Sequence, residues 1–354
     1  MHSNQQIKNN AFNKNELDLK VLRPNRYLSL SGPKMLGCFS CYRSDKNVDV
    51  YCPNKSSLRY LDLTEPVSLD CLQGFDPNVK YGHLSIGDMH LLRWVLNNES
   101  TIQTFPMDFI CYNGFAKDLI VAPFTQADWN ITAVKVRGTI IINRSESNQR
   151  KTSVDVQSEF DSKSTYTALN LERLITKNIN DHEYASVNAR DSFFGVFHSK
   201  IGRHQILHTG RLNCVESKEE LDKPFEEMNF NIIKKVHGNK RTGPSRSKAL
   251  LWWSLAILSR VETIICGRCT EDFTVNKIIR IKVDELVPRH MQTKCFTSMD
   301  AILDFVKSKV KEENKYYNFA FDSMAKKVNC YLKLGSKENS IPSWYMDGQF
   351  PLEP

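Results

Sequence analysis

The sequence predicts one α+β domain built on a mixed, twisted β-sheet core flanked by helices, and three observations lead there. Short apolar runs separated by polar breaks recur along the chain, at residues 58–61, 109–112, 119–121, 133–142 and 193–197. Runs of this length between breaks read as buried strands or short core segments. Helical periodicity appears around residues 169–179, 248–259 and 299–310. Strands and helices interleave irregularly, with no internal repeat and no strong linker, which suits a single mixed-sheet domain rather than a βαβ array.

Taken in order, residues 1–27 are rich in Asn, Gln and Lys and poor in aromatics. That is the composition of a flexible polar tail, so the folded domain is expected over 28–354. Val134, Val136, Thr139 and Ile141 are β-branched and suit strand. Residues 143–164 are polar and Ser-rich without periodicity, a surface excursion. Ser245 or Ser247 is placed to cap the helix that follows. The longest apolar run, 249–258, is broken by Ser254 and reads as a buried helix, with Trp252 and Trp253 as core rather than as a base-stacking platform.

Composition bounds the function. With 354 residues, 41% apolar and 25% charged, the chain can bury a sizeable core. No window reaches the roughly 18 consecutive apolar residues of a membrane span, and the N-terminus lacks a signal-peptide core, so an intracellular protein is expected. Its ten cysteines are then thiols. Cys38/Cys41 and Cys266/Cys269 are two CxxC pairs, together the ligand count of a four-thiolate zinc site, but cysteine is also a common buried strand residue, and that reading is preferred. The net charge of +8 suits an anionic partner. Lys234, Lys235, Lys240, Arg241, Arg246 and Lys248 fall together with no acid among them, as a solvated loop, a phosphate-contacting patch or an import signal.

Familiar catalytic motifs are missing. There is no Gly-rich phosphate loop and no Gly-x-Ser-x-Gly elbow. His204 and His208 are four apart, but Ile206-Leu207 between them reads as strand, so no zinc site is expected there. Glu226-Glu227 and Glu312-Glu313 are adjacent pairs that do not share a face. Gly210-Arg211-Leu212-Asn213-Cys214 reads as a strand whose same-face positions, Arg211 and Asn213, stand where a metal-holding strand would carry acids.

Several segments together resemble one family, the DXO decapping exoribonucleases. Ser57-Leu58-Arg59-Tyr60, Val67-Ser68-Leu69-Asp70 and Gly74-Phe75-Asp76 are similar to its N-terminal pattern. Asp108 to Gly114, Val136-Arg137-Gly138-Thr139 and residues 193–214 resemble its central strands. Lys248 to Trp253, Ile264 to Arg268 and Trp344-Tyr345 resemble its C-terminal motifs, so the likeness covers about residues 37–349.

The resemblance implies a DXO-like fold and a site where acids hold divalent cations at an RNA 5′ end. Glu172 matches one ligand position and is the sole one retained. Arg211, Asn213 and Ile232 stand where the family has acids, with Ile233 and the retained Lys234 following. Asn113 replaces a family Arg and Leu255 a family Gln. On this basis the chain is expected to be a non-enzyme with no catalytic residue and no cofactor; Arg211 is expected to pair with Glu172 or to grip an RNA phosphate. The alternative is an active decapping pyrophosphohydrolase and 5′–3′ exonuclease that uses Mg²⁺ and shifted acids such as Glu216 or Glu226. Candidate RNA contacts are Arg211, Lys234, Lys235, Lys240, Arg241, Arg246 and Lys248. The pattern of losses further resembles the ligand-stripped branch of the family that acts in the germline piRNA pathway. It implies nuclear, chromatin-associated work on nascent transcripts, with Rhino and Deadlock as partners and no membrane.

Overall fold

The computed structural model describes residues 12–13, 15–43, 49–63, 67–79, 81, 89–144, 158–178, 191–238, 243–332 and 341–349. In chain order the strands are β1 (Phe12–Asn13), β2 (Glu16–Asp18), β3 (Leu30–Arg43), β4 (Asp49–Cys52), β5 (Arg59–Leu61), β6 (Leu69–Asp70), β7 (Phe109–Cys111), β8 (Trp129–Val136) and β9 (Thr139–Arg144). They continue as β10 (Thr176–Asn178), β11 (Ser192–Ile201), β12 (His204–Leu212), β13 (Cys214–Val215), β14 (Phe230–His237), β15 (Thr263–Cys269), β16 (Thr274–Lys282), β17 (Tyr316–Asp322) and β18 (Lys327–Leu332). The helices are α1 (Met89–Asn97), α2 (Glu99–Ile102), α3 (Asn113–Val121), α4 (Glu159–Leu174), α5 (Arg246–Leu258), α6 (Arg289–Lys309) and α7 (Ser343–Met346).

These strands make two mixed sheets. One has eleven strands in the order β1-β2-β18-β17-β8-β9-β7-β12-β11-β3-β4, and the other seven in the order β10-β5-β13-β14-β15-β16-β6. Parallel pairs (β12 with β7, β7 with β9, β14 with β15, β13 with β5) sit inside otherwise antiparallel ladders, which is the mixed sheet expected from the irregular interleaving. The sheets meet where β12 ends. The chain leaves the large sheet at Leu212, turns through Asn213, and enters the small sheet as β13. There the Asn213 N–H donates to Asn231 O at 3.1 Å.

Apolar side chains of α3, α5 and α6 pack against the large sheet in one cluster that includes Trp253, Phe305 and Phe319. Trp252 and Trp253 are buried, as the apolar run around them requires. Ser245 caps α5 by accepting from the Lys248 N–H. Helix α4 lies on the small sheet, and one missing side chain lets it do so. A Cβ on Gly267 would come within 2.6 Å of Leu171 Cδ2. That contact seats the turn of α4 that carries Glu172.

Three boundaries differ from the sequence reading. The polar tail does not extend to residue 27: β2 pairs with β18, and Leu17 and Leu19 are buried in the main core. The averaged Asn/Gln/Lys composition hid two alternate apolar positions, which is all a short strand needs to find a core. Residues 1–11 lie outside the described residues. The surface excursion gives way at Glu159 to α4, because Ser158 accepts from the Asp161 N–H and caps a helix whose buried face is partly polar. The apolar run 119–121 belongs to helix α3. The two CxxC pairs lie on β3 and β15, in different sheets, and all ten cysteines are free thiols.

Candidate functional site

Glu172, in the last turn of α4, and Arg211, near the end of β12, meet at the corner between the sheets. Arg211 Nη2 lies 3.1 and 3.2 Å from the two carboxylate oxygens of Glu172, and its Nε donates to Ser192 Oγ at 3.1 Å. One nitrogen therefore serves both oxygens, a bifurcated contact rather than the parallel two-nitrogen fork of the strongest pairs. The two side chains are 26% and 15% exposed, so this ion pair is neither buried nor free in water.

Lys234, on β14, faces the same pocket. Burial of its ammonium is the main cause, and the neighbouring Arg211 guanidinium the next, of a pKa pushed down to about 8, with Glu172 opposing. Asn213 plays a structural part: its Oδ1 accepts the Ile233 N–H at 2.9 Å and ties the sheet junction together. Ile232 and Ile233 alternate along β14 and are buried in two different apolar clusters. Leu255 is partly buried against the main core. Asn113 opens α3, and its side chain lies outside the described residues.

Sequence reasoning missed Asp191, which immediately precedes β11. Burial raises its pKa, Glu172 acts in the same direction, and the Ser57 hydroxyl with Arg59 and Arg211 opposes them. Glu172 is therefore not the only acid in the pocket. The available signal was hairpin register: β11 and β12 pair with Phe194 opposite Arg211, which carries the residues just before β11 to the end of β12 that holds the site. Arg59 completes this wall, donating to Thr176 Oγ1 at 2.6 Å and Thr176 O at 3.0 Å, while Thr176 Oγ1 donates to Glu172 O at 2.6 Å. Lys117 of α3 adds its field at Lys234. The pocket gathers Arg59, Lys117, Arg211 and Lys234 around Glu172 and Asp191.

The structure separates the other candidates from this cluster. Glu216 is engaged by both terminal nitrogens of Arg280 and by Asn231 Nδ2. Glu226 is exposed. Lys235 projects from the opposite face of β14. Its ammonium donates to Ser164 O and Thr167 Oγ1 and lies 5.2 Å from the centre of the Phe273 ring, and burial pushes its pKa down to about 8. Arg246 and Lys248 are exposed on the first turn of α5, with Arg246 Nη2 reaching Met291 Sδ at 3.2 Å. Lys240 and Arg241 lie outside the described residues. A cavity of about 750 Å³ lined by Trp253, Ile257, Val261 and Arg289 is elsewhere in the fold.

Chemically, the corner suits an anion with a divalent cation in attendance. Glu172 and Asp191 are the carboxylates that would hold such a cation. Arg211 contacts both oxygens of Glu172, so guanidinium and cation compete for the same atoms. The four cationic side chains suit phosphate.

The comparisons fit this geometry. The chain is similar to the decapping and exoribonuclease proteins of Xenopus laevis (20% identical, over 74% of this chain and 71% of that one) and Rattus norvegicus (21%, over 89% and 84%). Its fold is similar to Scheffersomyces stipitis Rai1 in complex with (3′-NADP)⁺ and calcium ion, at TM-score 0.76, 16% identity and coverage of 92% and 94%. It is similar also to Candida albicans Rai1 in complex with pU5-Mn²⁺, at TM-score 0.73, 16% identity and coverage of 91% and 94%. These findings overturn two expectations, that the chain is a non-enzyme and that it takes no cofactor. Its curated relatives are decapping exoribonucleases, and its structural neighbours hold calcium or manganese. The expectations counted carboxylates only at motif positions, and Asp191 lies outside every motif. The DXO-like fold is as the resemblance implied. The model of the RAI1-like PD-(D/E)XK nuclease matches residues 31–346, nearly the whole folded chain, and the protein belongs to that family.

Proposed function

We propose that this chain receives the 5′ end of an RNA in the corner between its two sheets. The observation that carries the reading is the gathering of Arg59, Arg211 and Lys234 in one half-buried pocket with Glu172 and Asp191, flanked by Lys117, which pairs with Asp118 at 3.0 Å. Among the described residues Arg211 commits Nε and Nη2, which leaves Nη1 for a phosphate oxygen. Partial burial strengthens such a contact relative to one in open water. The finer role is association with nascent nuclear transcripts of piRNA source loci, protecting them from 5′-end processing and termination in germline transposon silencing. The likeness of the substitutions at Arg211, Asn213 and Ile232 to those of Cutoff, a piRNA-pathway member of the family, supports it. On that reading Rhino and Deadlock are the protein partners and the nucleus is the compartment.

A second reading is favoured by Asp191. Its carboxyl feels the charge of Glu172, and Glu172 in turn acts on Lys234, whose pKa of about 8 lets it give or take a proton near neutral pH. On this reading the chain removes caps or 5′ nucleotides with a divalent cation. One experiment addresses both. RNAs with 5′-monophosphate, 5′-triphosphate and capped ends are incubated with the full chain, with and without Mn²⁺, and both retention and products are measured. Retention that weakens steeply with salt and requires Arg211 and Lys234 supports the pocket. Mn²⁺-dependent release of the 5′ end selects the second reading, and stable intact complexes select protection. Equal retention by Arg211→Gln, Lys234→Met and the parent would refute the assignment of RNA to this corner.

A further inference from the structure

At the other end of the hairpin from Arg211, β12 begins with His204, whose side chain is completely buried. Neither ring nitrogen has a hydrogen-bond partner among the described residues. Yet Nε2 stands 3.0 Å from Asp304 Oδ1 and 3.7 Å from Asp300 Oδ1. Asp300 and Asp304 are four residues apart on α6, so they share a face of that helix, and both are buried. One donor atom from each of the three residues lies within 4.8 Å of the others. The turn is closed down on the carboxylate: a Cβ on Gly202, at φ 56°, would lie 2.2 Å from Asp300 Oδ1.

We infer that His204, Asp300 and Asp304 form a divalent-cation site of the zinc class, separate from the nuclease pocket. Asp304 Oδ1 lies at hydrogen-bonding distance from Nε2 yet outside hydrogen-bond geometry, and Asp300 Oδ1 lies beyond that distance. That is the arrangement of a coordination polyhedron, in which each donor points at a common centre and touches its neighbours only along an edge. With metal–ligand bonds of about 2.0–2.2 Å, such edges run from about 2.9 to 3.6 Å; the 3.0 Å separation falls inside that range and the 3.7 Å separation just beyond it. One imidazole nitrogen and two carboxylate oxygens also form a donor set that zinc accepts, with a fourth position open. Arg203 donates to Asp304 Oδ1 from Nε and Nη2, at 3.0 and 2.6 Å, and neutralises part of the acidic charge. Asp108, paired with Lys307, is the other charged neighbour. The rival arrangement is a protonated His204 lying between the two acids. It requires an N–H aimed at an acceptor, and neither nitrogen supplies one.

The test uses metal-free full-length chain and Co²⁺ as a spectroscopic stand-in for Zn²⁺. The expected result is one Co²⁺ at this site, still bound in the Glu172→Gln variant, with visible d–d bands and no thiolate charge-transfer band. Asp300→Asn should weaken this binding at least about a hundredfold, beyond what loss of a supporting partner costs a metal site. Glu172→Gln should leave it unchanged. X-ray absorption of the Zn²⁺-loaded parent needs no variant to fold, and should show one imidazole with oxygen donors and no sulfur. Failure of the parent to take up a stoichiometric ion overturns the inference, as does sulfur ligation or a site abolished by Glu172→Gln.

Discussion

Arg211 and Glu172 decide what the corner can bind, and Arg211→Gln tests that directly. At 3.1 Å the gross attraction is about 5 kcal/mol at an effective dielectric near 20. Most of it offsets desolvation. Exposed pairs contribute about 0–1 kcal/mol, and breaking fully buried pairs costs about 3–5 kcal/mol. This pair is partly exposed, and Lys234 remains beside Glu172 to compensate it. The expected loss is therefore about 1–2 kcal/mol, read by urea denaturation. A double-mutant cycle with Glu172→Gln should return a coupling of about 1 kcal/mol. The metal response carries the sharper test. Removing the guanidinium frees both carboxylate oxygens, so Mn²⁺ should raise the melting temperature of Arg211→Gln more than that of the parent. An ion at a hundred times its dissociation constant contributes about 2.7 kcal/mol to the folded state. Equal Mn²⁺ effects on parent and variant, or a coupling below about 0.3 kcal/mol, would refute competition between guanidinium and cation at Glu172.

Three further outcomes are expected, two from the surroundings of Lys234 and His208 and one from the charge pattern of residues 240–248. Lys234 has a folded pKa of about 8 against an ordinary 10.5, so its positive charge fades as pH rises through 8. RNA affinity should fall between pH 7 and 9, and Lys234→Met should flatten that profile in filter-binding assays. His208 is buried with Nε2 2.8 Å from Ser199 Oγ, and burial lowers its pKa to about 4 from 6.5. The unfolded chain then takes up the proton first, so stability should drop as pH falls from about 6.5 to 4, by about 3 kcal/mol in denaturant titrations. His208→Gln should lessen that slope. Replacing Lys240, Arg241, Arg246 and Lys248 with Ala should lower the salt dependence of RNA binding by about one unit per lost phosphate contact, and an unchanged slope would place the RNA elsewhere.

Much of this protein could be read from local pattern. The β-branched runs became β8 and β9, the apolar run with the Trp pair became the buried helix α5, and Ser245 caps it. The family motifs were legible because each is a contiguous stretch of chain. Glu172, Arg211 and Lys234 were placed together by that resemblance, and the structure brings them together. Only the tertiary structure supplied Asp191, because an acid at a strand end has no signature until the hairpin register and the junction of two sheets carry it beside Glu172. The same holds for Lys235. In sequence it is one more charge in a basic run, but the alternation of β14 turns it away from Lys234 and onto Thr167 and Phe273. His204 with Asp300 and Asp304 spans about a hundred residues of chain, beyond any ligand-spacing rule. Periodicity and motif are properties of neighbours along the chain, and so the sequence determined the elements and the family. Charge compensation and coordination depend on neighbours in space, and these were decided only by how the two sheets and α6 pack.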